Sequence, residues 1–529
     1  MLSRRVCGDR IQGFHTLRIL LSSQPSKVAK FSLKKSRSQG TNSTNDQSSG
    51  TSSVRTRFAP SPTGFLHLGS LRTALYNYLL ARATNGQFLL RIEDTDQTRL
   101  VPGAKDNIYE TLSWLGMSID EGPNEGGPYG PYIQSERSEI YSKYSDELLE
   151  KGLAYRCFCP KERLNDLRDS ARKLKPPTTV SYDRHCFHHI SREESDKLAN
   201  DGNVPFTLRF KCPDKYPEFV DLLHGRVNHQ PQVNSFDVRY DDPILMKSDG
   251  LPTYHFANVI DDHLMKVTHV VRGEEWLAST AKHIALYDAF GWDKPSFIHI
   301  PLLTTVDDKK LSKRSGDIDI LSLKSQGYLA ESLVNFSVLF GWSPKRGQGE
   351  KSSELFTLKE LEKNFRLDGL TTGNAKVVFN KLDHFNKEYL GMKLKDDEDD
   401  ISKQYVAKVL KGTAHTLMKL SDLYSKEYSY FFTVPTYSKI NLLNKTKLNE
   451  DVIKLVLESL SCSALNNDIS PIAKEIGFKI EGVESKNIFQ ILRYAISGDQ
   501  SGIKLPTMIS IIGEDEVKRR IQLLLNLLA

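Results

Sequence analysis

An α/β body followed by an all-helical C-terminal third is the fold class that this 529-residue sequence predicts. Short β-like stretches alternate with Gly/Pro turns and helical stripes from residue 54 onward, and a second such set follows residue 250. Beyond about residue 390 only helical periodicity remains. A chain of this length holds about three or four domains. Hydrophobic residues make up 39% of it and charged residues 26%, the composition of an ordinary soluble protein. No apolar run reaches the roughly 18 residues of a membrane-spanning helix.

The first β-like stretch, Val54-Arg55-Thr56-Arg57-Phe58, runs into Ala59-Pro60-Ser61-Pro62-Thr63-Gly64, where two prolines and a glycine force a rigid turn. Phe65-Leu66-His67-Leu68-Gly69-Ser70 then opens a helix whose Leu71, Ala74, Leu75, Tyr78 and Leu79 share one face. The next strand, Phe88-Leu89-Leu90-Arg91-Ile92, ends in Glu93-Asp94-Thr95-Asp96. A strand, a tight turn and a helix start together make a phosphate site, because amides at a helix N-terminus attract anions and a small residue such as Gly69 lets a nucleotide approach. His67 then has two readings: a donor to phosphate oxygens, or a turn histidine satisfying local backbone.

The second set begins with Gly250-Leu251-Pro252-Thr253-Tyr254-His255-Phe256-Ala257-Asn258, continues through Val259-Ile260-Asp261-Asp262-His263, and reaches Val270-Val271-Arg272-Gly273-Glu274-Glu275-Trp276. An arginine at the C-terminal edge of a strand stands where open α/β sheets place ligand contacts. Its guanidinium can grip a carboxylate through two parallel hydrogen bonds, or pair with Glu274 or Glu275. The basic loop Asp307-Asp308-Lys309-Lys310-Leu311-Ser312-Lys313-Arg314-Ser315-Gly316 says little in isolation. Between the two sets, Cys157-Phe158-Cys159 and Cys186-Phe187-His188 have spacings that could close a tetrahedral zinc site, and reduced cysteines in an insertion are the alternative.

Arg57-Phe58-Ala59-Pro60-Ser61-Pro62-Thr63-Gly64 with His67-Leu68-Gly69, and then Arg91-Ile92-Glu93-Asp94-Thr95-Asp96, closely resemble the signature strings of bacterial-type glutamyl-tRNA synthetases. Ser70 departs from the general class I motif, whose last position is often histidine. The basic loop is similar to the mobile lysine loop of that class, with Leu311 and Arg314 in place of the commonest Met and Ser. The resemblance spans about residues 54–529, dense to 345 and thin afterwards.

That resemblance implies an α/β Rossmann-type class I synthetase catalytic domain with an inserted acceptor-binding domain, followed by an all-α anticodon-binding domain. The expected boundaries are 54–141 and 251–345 for the two catalytic halves, 142–250 for the insertion, 346–390 for a connecting stem-contact region and 391–529 for the helical domain. By the same resemblance, Arg57, Phe58, Ala59, Ser61, Glu93, Tyr254, His255, Phe256, Ala257, Asn258 and Arg272 bind glutamate, with Glu93 suited to the α-ammonium group. His67, Gly69, Glu275, Lys310, Leu311, Ser312, Lys313 and Arg314 bind ATP, and His67, Lys310 and Lys313 act in catalysis by stabilising phosphate charge. Some relatives carry structural zinc on the insertion, which would fall on Cys157, Cys159, Cys186 and His188. The implied reaction is ATP-dependent, with Mg²⁺ on the phosphates, and joins L-glutamate to tRNA(Glu). A monomer is the family expectation.

In the last third, Ile488, Ile491, Leu492 and Ala495 form one stripe with Gly498 as a C-terminal stop, and Val517, Ile521, Leu524, Leu525 and Leu528 form another. Both read as helix-packing core. Lys161, Arg163, Arg168, Arg172, Lys173 and Lys175 offer local positive charge for the acceptor end of tRNA, or simply a solvated helix face.

Residues 1–53 carry nine basic and two acidic side chains, a net of +7 against +6 for the whole chain, so residues 54–529 sum to −1. Net charge therefore gives no argument for nucleic-acid binding by the body. The leader is Arg/Lys-rich, Ser-rich and acid-poor, which suits a mitochondrial transit peptide or else a basic tail. Thirteen of the sixteen residues at 38–53 are Ser, Thr, Gly or Asn, a linker. An organelle enzyme of this kind is also expected to glutamylate tRNA(Gln). A glutaminyl enzyme is the nearest relative to set against this reading, and an inactive RNA-binding homologue is the alternative from another class. Six cysteines in this length make no disulfide scaffold.

Overall fold

The computed structural model describes residues 53–309, 311, 319–344, 354–393, 401–413, 415–417, 422–423, 425, 427–465, 468–498 and 503–528. They fall into two compact units, one built from residues up to 322 with 334–378, the other from 323–333 with residues 379 onward. The basic leader, and Lys310, Ser312, Lys313 and Arg314 of the lysine-rich loop, lie outside the described residues.

In the first unit, β1 (Arg55–Phe58) pairs in parallel with β2 (Gln87–Leu90), and α1 (Leu68–Ala83) makes the crossover. Its predicted stripe is buried, but so are Arg72, Tyr76 and Asn77, so α1 is enclosed on nearly every side rather than on one. The reason is neighbours on both flanks: β1, β2 and residues His269–Gly273 on one side, residues Leu358–Asn364 on the other. A helix with neighbours on both flanks buries more than one apolar stripe, Arg72 and Asn77 included, and a one-face reading falls short.

A helix, α2 (Ser138–Glu150), leads into β3 (Ala154–Cys157), α3 (Lys161–Lys173) and the short α4 (His185–His189). β3 pairs antiparallel with β4 (Thr207–Phe210), which pairs antiparallel with β7 (Ile244–Met246). A second sheet has the order β6 (Gly225–Val227), β5 (Phe219–Asp221), β9 (Ser296–Ile300), β8 (His269–Gly273), with β8–β9 parallel. α5 (Tyr254–Leu264) precedes β8, and α6 (Leu277–Phe290) joins β8 to β9.

β8 runs beside β1: Thr268 donates its N–H to Arg55 O at 3.0 Å, and Arg55 donates to Thr268 Oγ1 at 2.8 Å. These bonds tie the first residues of strands more than 200 residues apart side by side, so that their opposite, C-terminal ends open together onto the site.

The second unit is helical. α7 (Glu450–Cys462), α8 (Ser470–Lys479), α9 (Ser485–Ser497), α10 (Leu505–Ile512) and α11 (Glu514–Leu528) enclose one apolar core. Ile488, Ile491, Leu492 and Ala495 of α9 and Val517, Ile521 and Leu524 of α11 are fully buried, as their spacing predicts. Gly498 ends α9 in the left-handed conformation, φ 63°, with its N–H on Tyr494 O at 2.8 Å. Arg520 is buried in this unit, held by Glu516 at 3.0 Å and by the carbonyls of Ile496 and Tyr430.

No helix of the described residues is long and apolar enough to cross a membrane.

Candidate active site

The ends of β1 and β8, the start of α1 and the first turns of α5 enclose a cavity of about 560 Å³. Arg57, Phe58, Ala59, Ser61, Glu93, Tyr254, Asn258 and Arg272 line it, and His67, Gly69, Glu275 and Leu311 line it too. Residues read from strings about 200 positions apart therefore meet in one space.

α5 explains how. Tyr254 and Asn258 are four residues apart and Asp262 four further on, so all three share a helix face. Asp262 is buried and accepts from Arg57 Nε at 3.1 Å and from Arg91 Nη1 at 2.7 Å. Arg91, wholly enclosed, donates also to Glu93 Oε1 at 2.9 Å. Asp261, one residue earlier, takes Arg137 at 2.8 Å, Gln134 at 2.9 Å and Tyr141 at 2.9 Å. With its amide turned to donate to Asp262 at 3.3 Å, Asn258 accepts from Arg91 at 3.1 Å.

Burial pushes the Asp262 carboxyl up, but Arg57 and Arg91 outweigh it and hold the group below its usual value. Glu93 goes the other way: burial raises it more than Arg91 can lower it. A cation arriving at Glu93 would relieve that cost, which suits the α-ammonium of an amino acid.

Arg272 differs from the other arginines. Among the described residues no carboxylate lies within ion-pair distance of it. It donates to His299 Nε2 at 3.1 Å, Tyr254 Oη at 3.3 Å, His283 Nδ1 at 3.2 Å and Thr280 Oγ1 at 2.8 Å. Around the amino-acid end of the cavity, Arg57, Arg91, Arg137 and Arg272 face Glu93, Asp261 and Asp262, an excess of one positive charge. Glutamate, with two carboxylates and one ammonium, would cancel it.

At the other end, His67 caps α1: its ring accepts from Ser70 N–H at 3.4 Å and meets Ser70 Oγ at 3.0 Å, while its backbone is extended. The local-backbone reading of His67 is thus realised, and the ring still lines the cavity beside the helix start. A side chain on Gly69 would meet that ring at 3.3 Å. At Gly273 an added Cβ would fall 2.0 Å from Glu275 Oε2, so the missing side chain is what lets Glu275 fold back over the end of β8.

Three glutamate-site expectations need correction. Phe256 and Ala257 are fully buried in the apolar core, and His255 faces a separate cavity of about 300 Å³. They lie on the other faces of α5, about 100° per residue away from Tyr254 and Asn258. Several neighbours of the cavity carry no site role in the sequence reading: Arg91, Asp262 and Trp276, which stand in its strings, and Arg72, Thr280, His283 and His299, which do not. The signal for Asp261 and Asp262 is that they directly follow the largely apolar Phe256–Ile260 on one helix, where buried carboxylates require cations.

In the inserted segment Cys157, Cys159 and Cys186 converge, their sulfurs all within 4.8 Å of one another. His188 is not with them: it is exposed, two helical positions beyond Cys186, and its ring packs edge-on to Phe187 at 5.2 Å. The Tyr182 hydroxyl instead stands 3.3 Å from Cys157 Sγ and 3.6 Å from Cys159 Sγ. Phe158 N–H donates to Cys186 Sγ at 3.3 Å. Three thiolates and a phenolic oxygen are a donor set that fits zinc. On α3, Arg163 is paired with Asp183 at 2.5 Å, whereas Lys161, Arg168, Arg172 and Lys173 are exposed, as is Lys175 just beyond it.

Comparison with known proteins agrees with this geometry. Residues 53–384 match the family described as tRNA synthetases class I (E and Q), catalytic domain, and residues 380–525 match an anticodon binding domain. A nucleotide-sized cavity at a parallel-strand edge, beside a helix start and ahead of a helical anticodon module, defines a class I aminoacyl-tRNA synthetase. Over 491 residues the chain is 52% identical to the mitochondrial glutamate–tRNA ligase of Saccharomyces cerevisiae, covering 88% of this chain and 90% of that one. It is 42% identical over 493 residues to a glutamate–tRNA ligase of Clostridium botulinum, covering 90% and 99%. The crystal structure of a glutamate tRNA ligase from Elizabethkingia meningosepticum in complex with its amino acid superposes with a TM-score of 0.75 at 34% identity, covering 90% of this chain and all of that one. The chain belongs to the glutamate–tRNA ligases, which use ATP to join glutamate to tRNA.

Proposed function

We propose that this enzyme forms glutamyl-adenylate in the 560 Å³ cavity and passes the glutamyl group to tRNA(Glu) for mitochondrial translation. The observation that carries the site assignment is the unneutralised Arg272 guanidinium sharing a cavity with Arg57 and Glu93. Arg272 and Arg57 hold the γ-carboxylate of glutamate, and Glu93 holds its α-ammonium. Among the described residues Arg57 is bound only through Nε, which leaves its terminal nitrogens for the substrate.

The α-carboxylate then attacks the α-phosphorus of ATP and pyrophosphate leaves. His67 and the first amides of α1 face the phosphates, where Mg²⁺ travels with the nucleotide as substrate. Lys310 and Lys313 stabilise the departing pyrophosphate, with Leu311, Ser312 and Arg314 forming the rest of that loop, and Gly69 and Glu275 border the nucleotide. No enzyme nucleophile is needed; positioning and charge supply the rate. In the second step the terminal ribose hydroxyl of tRNA takes the acyl group.

Three finer assignments belong to this reading. The leader at residues 1–53 directs the chain to the mitochondrial matrix, in keeping with its similarity to a mitochondrial ligase of Saccharomyces cerevisiae. The enzyme also charges tRNA(Gln), and it acts as a monomer. Cys157, Cys159 and Cys186, with Tyr182 in place of His188, hold a structural zinc ion that pins β3 to α4.

Acylation of purified organellar tRNA(Glu) and tRNA(Gln), read on acid gels, tests the reaction. Product on both is the expected outcome. Absence of glutamyl-tRNA(Glu) would overturn the assignment, and absence on tRNA(Gln) alone would remove only the second substrate.

A further inference from the structure

The neutral acceptors around Arg272 form two chains. His299 is fully buried, and its Nδ1 lies 2.7 Å from Asp221 Oδ2. Arg272 Nε carries a hydrogen and can only donate, so His299 Nε2 must be the bare nitrogen and Nδ1–H must donate to Asp221. Asp221, the last residue of β5, is itself fixed: it accepts from the backbone N–H groups of Leu223 and His224 at 2.9 Å each and of His299 at 3.1 Å. On the other side Arg272 Nη1 donates to His283 Nδ1, which sets His283 as the Nε2–H form, donating to His255 Nδ1 at 2.9 Å. Burial keeps both rings from charging.

The result is an arginine held at each nitrogen by groups without net charge. The one carboxylate in the arrangement, Asp221, is kept a full imidazole away. A direct Asp or Glu partner would orient the guanidinium equally well but would also neutralise it.

We propose that Asp221 and His299, with His283, are positioning and selectivity residues: they aim Arg272 and leave its charge for the substrate's γ-carboxylate. A carboxamide in the same place would leave that buried charge uncompensated, so the cage favours glutamate over glutamine. The inference rests on Arg272 binding the γ-carboxylate and adds how its selectivity is set.

The test is steady-state aminoacylation of tRNA(Glu) by the full chain, with KM for glutamate, KM for ATP, inhibition by glutamine and the thermal midpoint measured for each variant. Asp221→Asn and His299→Leu are expected to raise the glutamate KM by about 10- to 100-fold, the cost of a lost hydrogen bond to a charged group. The ATP KM stays within about twofold on the same reasoning. His299→Gln, whose carbonyl can accept from Arg272 Nε, should recover to within about threefold of the parent. His283→Asp supplies an internal counter-ion and should weaken glutamate at least about tenfold while glutamine inhibition is kept or strengthened.

Unchanged glutamate KM in both Asp221→Asn and His299→Leu would overturn the inference. So would parallel loss of glutamate and ATP binding, because that marks a general structural role. If His299→Leu fails to fold, the isosteric Asp221→Asn decides alone. Arg272→Leu separates the two levels: no effect on glutamate KM removes the reading of Arg272 itself, whereas a large effect there with none at Asp221 and His299 removes only the cage.

Discussion

Asp262 holds Arg57 across 205 residues of chain, accepting from its Nε at 3.1 Å while also taking Arg91 at 2.7 Å. One carboxylate thus aims one cavity arginine and neutralises another beneath it. Removing it by Asp262→Ala leaves two buried guanidinium groups short of a partner, which costs about 3–5 kcal/mol. Chemical denaturation should show that loss, and glutamate KM should rise in whatever folded fraction remains.

Acid should weaken the fold well above the usual carboxylate range. Burial depresses His255 and His299 from 6.5 to about 4 in the folded chain. The unfolded chain takes up these protons first as pH falls, so stability is full above about pH 6.5 and is lost between there and about pH 4. Each group contributes at most about 3 kcal/mol. Asp262 adds its own loss only at lower pH, because its folded value lies below the ordinary one. Urea midpoints measured from pH 7.5 to 4.5 check this: His255→Gln should flatten the slope.

Gly273→Ala addresses the nucleotide end alone. The new methyl group must displace the Glu275 carboxylate, which lies 2.0 Å from its position. That carboxylate is the end of an exposed, flexible side chain, so the fold should lose no more than about 0.5 kcal/mol. The ATP KM should rise several-fold with the glutamate KM little changed. Equal changes in both would contradict the placement of Glu275 beside the nucleotide.

The cysteine cluster makes a stoichiometric prediction. Purified protein should carry about one zinc per chain. Cys159→Ser should lose it and soften the segment from β3 to α4, seen as faster amide exchange there. Tyr182→Phe should weaken retention against a chelator. His188→Ala should leave the metal in place, and zinc loss in that variant would restore the histidine as a ligand.

What could be read in the chain depended on whether the information was local. The helix stripe from Ile488 to Ala495 and its stop at Gly498 are periodicity and turn chemistry, and both appear in the fold. Arg57, Glu93 and Arg272 were recoverable because they sit inside long signature strings. Their partners were not. Asp221, His283 and His299 occupy unremarkable stretches, and only β5, α6 and β9 folding around Arg272 give them a role. His188 and Tyr182 show the limit of spacing arguments: a Cys-x-His pair on a helix points its two side chains apart, while a tyrosine four residues before Cys186 reaches the sulfurs from a loop. His255, Phe256 and Ala257 erred in the same manner, since a contiguous string on a helix cannot all face one cavity.

The placement of β8 beside β1 has a consequence for how the enzyme comes into being. Each half of the site is inert until the other arrives, and the whole insertion must be traversed before they can join. A chain still emerging from the ribosome therefore has no adenylate chemistry to misdirect. Competence appears late and all at once, governed by closure of one long loop.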